Sequence, residues 1–366
     1  MHLCINSLTA LALVRRLRAE DMGMPSETCG VPSPDPWPNR RWTPRLIPHQ
    51  LIGLSDPPSE RHPIHVVSPD ASSRPKAAFM TTTVYGRGIP PGSFARVSEN
   101  FTVPRPELLF LELANVMDRP ALELLGYELC GTFSRCADNP RTGKAVHGVA
   151  PLTSVAKIRD YVCSCLRVRG RERALAALEN VRDNAWSAME AIVALALVRP
   201  LEKDGYGIRN IELNAREQVG RELRPRVSHE SRVPDISLGD LPVGFNYDGY
   251  GHLDLNSIDV KALDEDELKA SLARVREKYV DDLRRNRELL ASGRIVLPVV
   301  AEDLMDSGGL DSVVLEAVIA AERLTGESGE TGAIVRRALE RPHAARRQRI
   351  IWSLYPWRGG VSLGNY

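Results

Sequence analysis

Hydrophobic positions along this chain change period several times, and each change marks an element. Between 264 and 290, Leu268, Leu272, Val275, Tyr279 and Leu283 recur at steps of four, three, four and four, which predicts one long amphipathic helix that stops before Gly293. Thr153, behind Pro151, is an N-cap candidate for a helix with Val155, Ile158, Val162 and Leu166 on one stripe, and a further helix is expected from Arg171 to about Val181. Ser187-x-x-Glu190 is a capping box in front of a short apolar helix. Two apolar runs, Val233 to Leu238 and Leu241 to Tyr247, meet at Gly239-Asp240 and predict a hairpin. A strand over Arg294 to Val300 follows the long helix, and Leu310 to Leu354 is largely helical with a break around Gly326 to Gly332.

Upstream, His65-Val66-Val67, Thr81 to Tyr85 and Phe94 to Val97 are β-branched or aromatic runs bounded by Pro and Gly, hence short strands. Pro106-Glu107 opens a helix with Leu108, Leu109, Leu111, Leu113 and Val116, and a second helix follows through Ala121 to Leu125. Residues 1–45 predict only a short helix through Leu8 to Arg18 and a Pro-rich segment from Pro25 to Pro44 that sustains neither helix nor central strand. The expected organisation is an irregular 1–45, a small α/β domain over 46–150, a helical connector over 151–186, an α/β domain over 187–310 with a mixed sheet flanked by helices, and a helical basic tail over 311–366.

Charge narrows the function classes. Lys+Arg 48 against Asp+Glu 47 leaves a net +1, so a general coater of nucleic acid is excluded and any such contact must be local. One local excess exists: residues 331–366 hold Arg336, Arg337, Arg341, Arg346, Arg347, Arg349 and Arg358 against the single acid Glu340. The apolar run from Ala191 to Val198 is far short of the ~20 residues of a membrane helix, and Arg15, Arg16 and Arg18 follow rather than precede the apolar run Leu8 to Val14, the reverse of a signal peptide. No membrane partner and a cytoplasmic location are the expectation. Six cysteines without paired C-x₂₋₄-C spacing predict reduced, buried thiols rather than a zinc site. There is no G-x-G-x-x-G, Walker loop, G-x-S-x-G or H-E-x-x-H to support a metabolic enzyme.

The candidate chemistry lies in the acids between 187 and 300. Glu190 starts a helix, Asp235 sits in one short apolar run, and Asp248 ends the next, with His252 four residues beyond. Carboxylates at strand ends and first helical turns can converge on a hard divalent cation such as magnesium, which activates water and clamps a phosphodiester. Each residue also has a plainer reading: Glu190 as half of the capping box, Asp235 after Pro234 as a turn, Asp248-Gly249 as a hairpin dipeptide, His252 as a loop histidine.

Taken in order, Ser187-x-x-Glu190, Pro234-Asp235-Ile236, the strand Val243 to Tyr247 running into Asp248-Gly249-x-x-His252, and Asp282-x-x-Arg285-x-x-x-Leu289-x-x-x-Gly293 resemble the PD-(D/E)XK nuclease superfamily in its very-short-patch-repair-like branch, over about a third of the chain. The resemblance implies a restriction-endonuclease-like fold, catalytic Glu190, Asp235, Asp248 and His252, and magnesium held by Asp235, Asp248 and the residue at 246. That branch usually has glutamate where this chain has Asn246, so the resemblance implies a site short of one charge. A literal D-x-K, Asp259-Val260-Lys261, stands further on behind a polar, turn-like stretch. The upstream segments His65-Val66-Val67-x-x-x-Ala71-x-x-Arg74, Thr81 to Tyr85 and Pro106 to Ala114 resemble AbiEi antitoxin-like proteins of type IV toxin–antitoxin systems. That likeness implies a reduced DNA-reading module in 1–45 and a cognate toxin as a partner.

Two functions from different classes follow as expectations. One is a metal-dependent DNA endonuclease of bacterial defence or mobile-element type, contacting DNA through Arg274, Lys278 and Arg285 of the long helix and Arg346 and Arg347 of the tail. The other is a non-catalytic DNA-binding antitoxin or regulator that keeps the nuclease-like fold as a scaffold.

Overall fold

The computed structural model describes residues 2–25, 27–30, 42–85, 88–141, 144–218, 222, 231–248, 265–327 and 329–355. The described residues divide into two compact units, one over 2–188 and one over 189–355. It is mixed α/β throughout. Segments 1–45, 46–150 and 151–186 therefore share one unit, and the tail over 311–355 belongs to the same unit as 189–310.

In the first unit the N-terminal residues are core rather than appendage. Strand Leu3–Cys4 pairs parallel with Phe101–Pro104, which pairs antiparallel with Phe94–Arg96, and Thr28–Cys29 completes a four-stranded mixed sheet. A parallel pair, Ile64–Ser68 with Met80–Val84, is joined to the first segment by a bridge from Ile5 to Val66. Helix Ser7–Ala19 buries Ala10, Leu11, Leu13 and Val14 in the main core with Leu109, Phe110 and Leu125. The short helix expected through Leu8 to Arg18 is present, and the strands beside it went unread because two-residue strands carry no readable alternation. The helix is held as firmly by its arginines as by its leucines. Arg15 donates from Nε and Nη2 to the two carboxylate oxygens of Glu128, both at 2.8 Å, and Arg135 adds its own pair to the same carboxylate at 2.7 Å. Arg18 donates to the carbonyls of Glu128, Gly131, Phe133 and Ala150, closing the C-terminal end of helix Arg119–Cys130. A DNA-reading role for this helix finds no support in Arg15 and Arg18, both buried.

One helix start differs from expectation by one residue. Ser154, not Thr153, caps helix Val155–Ser164 through Lys157, while the Thr153 hydroxyl donates to Glu107 at 2.6 Å. That helix stops at Ser164, so Leu166 leaves the stripe and is exposed.

The second unit has the element order helix Ala188–Val198, strands Ile211–Leu213, Ile236–Leu238 and Val243–Asp248, helix Glu265–Ala291 and strand Ile295–Val300. The four strands form one sheet in which the first three run antiparallel in sequence and the last lies parallel to the third. Gly244 is required in this sheet, because a Cβ there would sit 2.5 Å from the carbonyl oxygen of Ile236. Helices Glu265–Ala291 and Gly309–Thr325 both pack on the final strand, and helix Arg341–Leu354 packs on Ala301–Met305. Among the described residues no helix is long and apolar enough to cross a membrane.

The long helix exists as predicted but turns a different face inward. Tyr279 and Leu283, of the predicted apolar stripe, are about half exposed, whereas Leu289 is buried and Asn286 and Glu288 are partly covered. Polar pairing decides this: Arg232 donates to Glu288 at 2.6 Å and to Asp281 at 3.1 Å, pinning that side of the helix.

The basic tail also sorts its arginines. Arg347, expected on a DNA surface, is 2% exposed: its guanidinium pairs with Asp311, donates to the Ala338 carbonyl, and lies 4.0 Å over the Tyr206 ring. Spacing explains it, since Arg347 stands four residues before buried Ile351 on the inward stripe of helix Arg341–Leu354. Arg347→Lys keeps the charge but loses the planar fork and the stacking, and should cost ~1–2 kcal/mol, read as a lower unfolding midpoint in denaturant; an unchanged midpoint would show the fork to be dispensable.

Candidate active site

The site in the second unit is built from four backbone positions that the sheet brings together. Register places Ile236 opposite Phe245, so Asp235 stands beside Asn246 at the start of its strand. Two hydrogen bonds lock this corner: the Asp235 amide donates to Asn246 Oδ1 at 3.0 Å, and the Tyr247 amide donates to Asp235 Oδ2 at 2.6 Å. Asn214 follows strand Ile211–Leu213 in a left-handed conformation at φ 52° that asparagine tolerates. From there its amide donates to the Asp235 carbonyl at 2.9 Å and its Nδ2 to Glu190 Oε2 at 3.0 Å. Asn214 thus ties the first-turn acid of helix Ala188–Val198 to the strand that carries Asp235.

Electrostatics agrees with this convergence. Burial above all, and then the Glu190 carboxylate, push the Asp235 carboxyl up to about 7; the Tyr247 amide and the Arg285 guanidinium oppose this, and Asp248 adds the smallest push. Asp235 is therefore poised near neutrality, the range a proton acceptor or an exchangeable metal ligand needs. Glu190 is 7% exposed, while Asp248 at the strand end is half-buried.

Other expected residues fall elsewhere. Asn246 is 2% exposed, with its oxygen on the Asp235 amide and its Nδ2 3.5 Å from Asn286 Oδ1, so in this arrangement it fixes the corner beside Asp235. Arg285 sits inward near Asp235 and pairs with Asp282 at 3.1 Å. Arg346 pairs with Asp204 at 2.8 Å, and His343 meets the same carboxylate at 3.0 Å. Arg274 and Lys278 lie on the long helix, with side chains outside the described residues, as are His252 and Asp259-Val260-Lys261 altogether. Asn214 and Asn286 went unread in the sequence. Neither belongs to a motif, and Asn214 is marked only by its place directly after a short apolar run.

The donor set suits a hard dication in kind: two or three crowded carboxylates, one of them resisting ionisation. Among the described residues no three acidic, histidine or cysteine side chains form a cage for an ion. Magnesium commonly takes only one or two carboxylates and fills its sphere with water and substrate phosphate, which Asp235 and Asp248 could supply between them. No family model, curated protein or solved structure matches the chain.

Proposed function

We propose that this chain is a metal-dependent DNA endonuclease-like protein of bacterial defence or mobile-element type, with its second unit on a restriction-endonuclease-like plan and its cleavage weakened by Asn246. The observation that carries the reading is the corner itself. A helix with an early acid, three antiparallel strands, a long helix and a parallel fourth strand gather Glu190, Asp235 and Asp248 at one corner, where burial and then Glu190 raise the Asp235 carboxyl to about 7. Asp235 and Asp248 would hold magnesium, which would supply an activated water and neutralise the developing phosphodiester charge. Asn214 would orient Glu190, and Asn246 would fix the Asp235 backbone. DNA would meet Arg274 and Lys278 of the long helix.

A second reading is favoured by the amide at 246: a non-catalytic DNA-binding antitoxin or regulator with a cognate toxin. Asparagine brings hydrogen bonds but no charge and no base.

Plasmid nicking in magnesium separates the two. Wild type should nick slowly, Asn246→Glu should nick about 10- to 100-fold faster by restoring an anionic ligand, and Asp235→Ala should not nick. Equal cutting by wild type and Asp235→Ala would remove the site from consideration. Absence of cutting by wild type and Asn246→Glu, with retained DNA binding, would establish the regulator.

A further inference from the structure

The first unit contains a cleft of about 620 Å³ that no part of the nuclease reading uses. It opens beside the first turn of helix Ser7–Ala19, where Leu8 and Thr9 line it, and beside strand Ile64–Ser68, which contributes His65. Its size lies within the range of small-ligand pockets.

Its polar groups fall into two opposed sets. Arg61, His62 and His65 can donate, and Asp56 and Asp138 can accept. The Thr9 hydroxyl accepts the His65 backbone N–H at 2.8 Å and is hydrogen-bonded to the ring at Nδ1 at 3.1 Å, which fixes the ring in place. Nε2 has no hydrogen bond among the described residues, and burial holds the His65 pKa below its ordinary value. Pro57, Pro58 and Pro63, with Leu54, give the cleft flat apolar walls.

A bare anion would meet the two carboxylates as well as the donors, and a purely apolar ligand would leave both sets unsatisfied. A molecule that carries a phosphate, a flat apolar body and hydroxyl or amino donors satisfies all three features together. We propose that this cleft binds a nucleoside monophosphate, with Arg61 and His62 on the phosphate, His65 Nε2 hydrogen-bonded to the ligand, and Asp56 and Asp138 accepting from its sugar hydroxyls or base amino group. The site lies wholly within residues 8–138 and stands or falls independently of the endonuclease reading.

Calorimetric titration of the full chain with the four nucleoside 5′-monophosphates, with adenosine and with inorganic phosphate tests it. At least one monophosphate should bind saturably, and adenosine and phosphate at least about tenfold more weakly, the equivalent of one charge-assisted contact. Arg61→Ala and His62→Gln alter exposed side chains, so the fold should survive, as circular dichroism would verify; each should weaken the monophosphate about five- to tenfold. The His65 ring resonances should shift on binding. Failure of all four monophosphates to bind, indifference to both substitutions, or phosphate binding as tightly as the nucleotide would each overturn the assignment.

Discussion

Asp235→Asn should make the second unit more stable by up to about 4 kcal/mol at pH 8 while erasing any magnesium-dependent cleavage. The folded carboxyl is raised from 3.8 to about 7, so between those values the folded chain keeps a proton that the unfolded chain has released. Stability then falls by ~1.4 kcal/mol for each pH unit across that window and levels off above it. An amide removes the ionisation altogether while its oxygen still accepts the Tyr247 amide. Urea unfolding at pH 4 and pH 8 distinguishes the cases: the two proteins should agree at the lower pH and separate at the higher. A variant no more stable than wild type at pH 8 would mean that Asp235 is neither buried nor crowded by Glu190 in the folded chain. Saturating magnesium should shrink the difference, because a cation at the site relieves the same repulsion.

Glu128→Ala should destabilise the first unit by ~3–5 kcal/mol, because it strands Arg15 and Arg135 beside a buried gap. Burial alone would raise the Glu128 carboxyl, but the two guanidiniums prevail and hold it far below the usual carboxylate range. Its contribution is complete above about pH 4.5 and drains away as the pH falls toward the depressed value. The wild-type unit should therefore lose stability in acid more steeply than Glu128→Ala does, which an acid-unfolding series would reveal. Glu128→Gln should recover part of the loss, since an amide oxygen still accepts one guanidinium. If Glu128→Ala unfolds within ~1 kcal/mol of wild type, the triad is dispensable.

Periodicity made the long elements legible and left the short ones dark. Helix Glu265–Ala291 could be read from its spacing, yet its inward face could not, because Arg232 with Glu288 and Asn246 with Asn286 are pairings between distant segments. Strands Leu3–Cys4 and Ile211–Leu213 are too brief to show alternation. The candidate acids were visible as an ordered set, but Asn214, which links two of them, acquires its position only from strand register. Among the tail arginines, charge alone pointed outward for Arg347, whereas the stripe shared with Ile351 pointed inward, and packing decided.

The parallel pairing of Leu3 with Phe101 sets a timetable for synthesis. Nearly a hundred residues separate the partners, so at ~5–20 residues per second the first strand waits on the order of 5–20 s before its neighbour has been translated. During that interval helix Ser7–Ala19 lacks its core partners Leu109, Phe110 and Leu125, and Arg15 and Arg18 have none of their acceptors, which lie between 128 and 150. Ribosomal pausing that lengthens the interval would act on the nascent chain, leaving the finished molecule's stability untouched while changing how much of it is made.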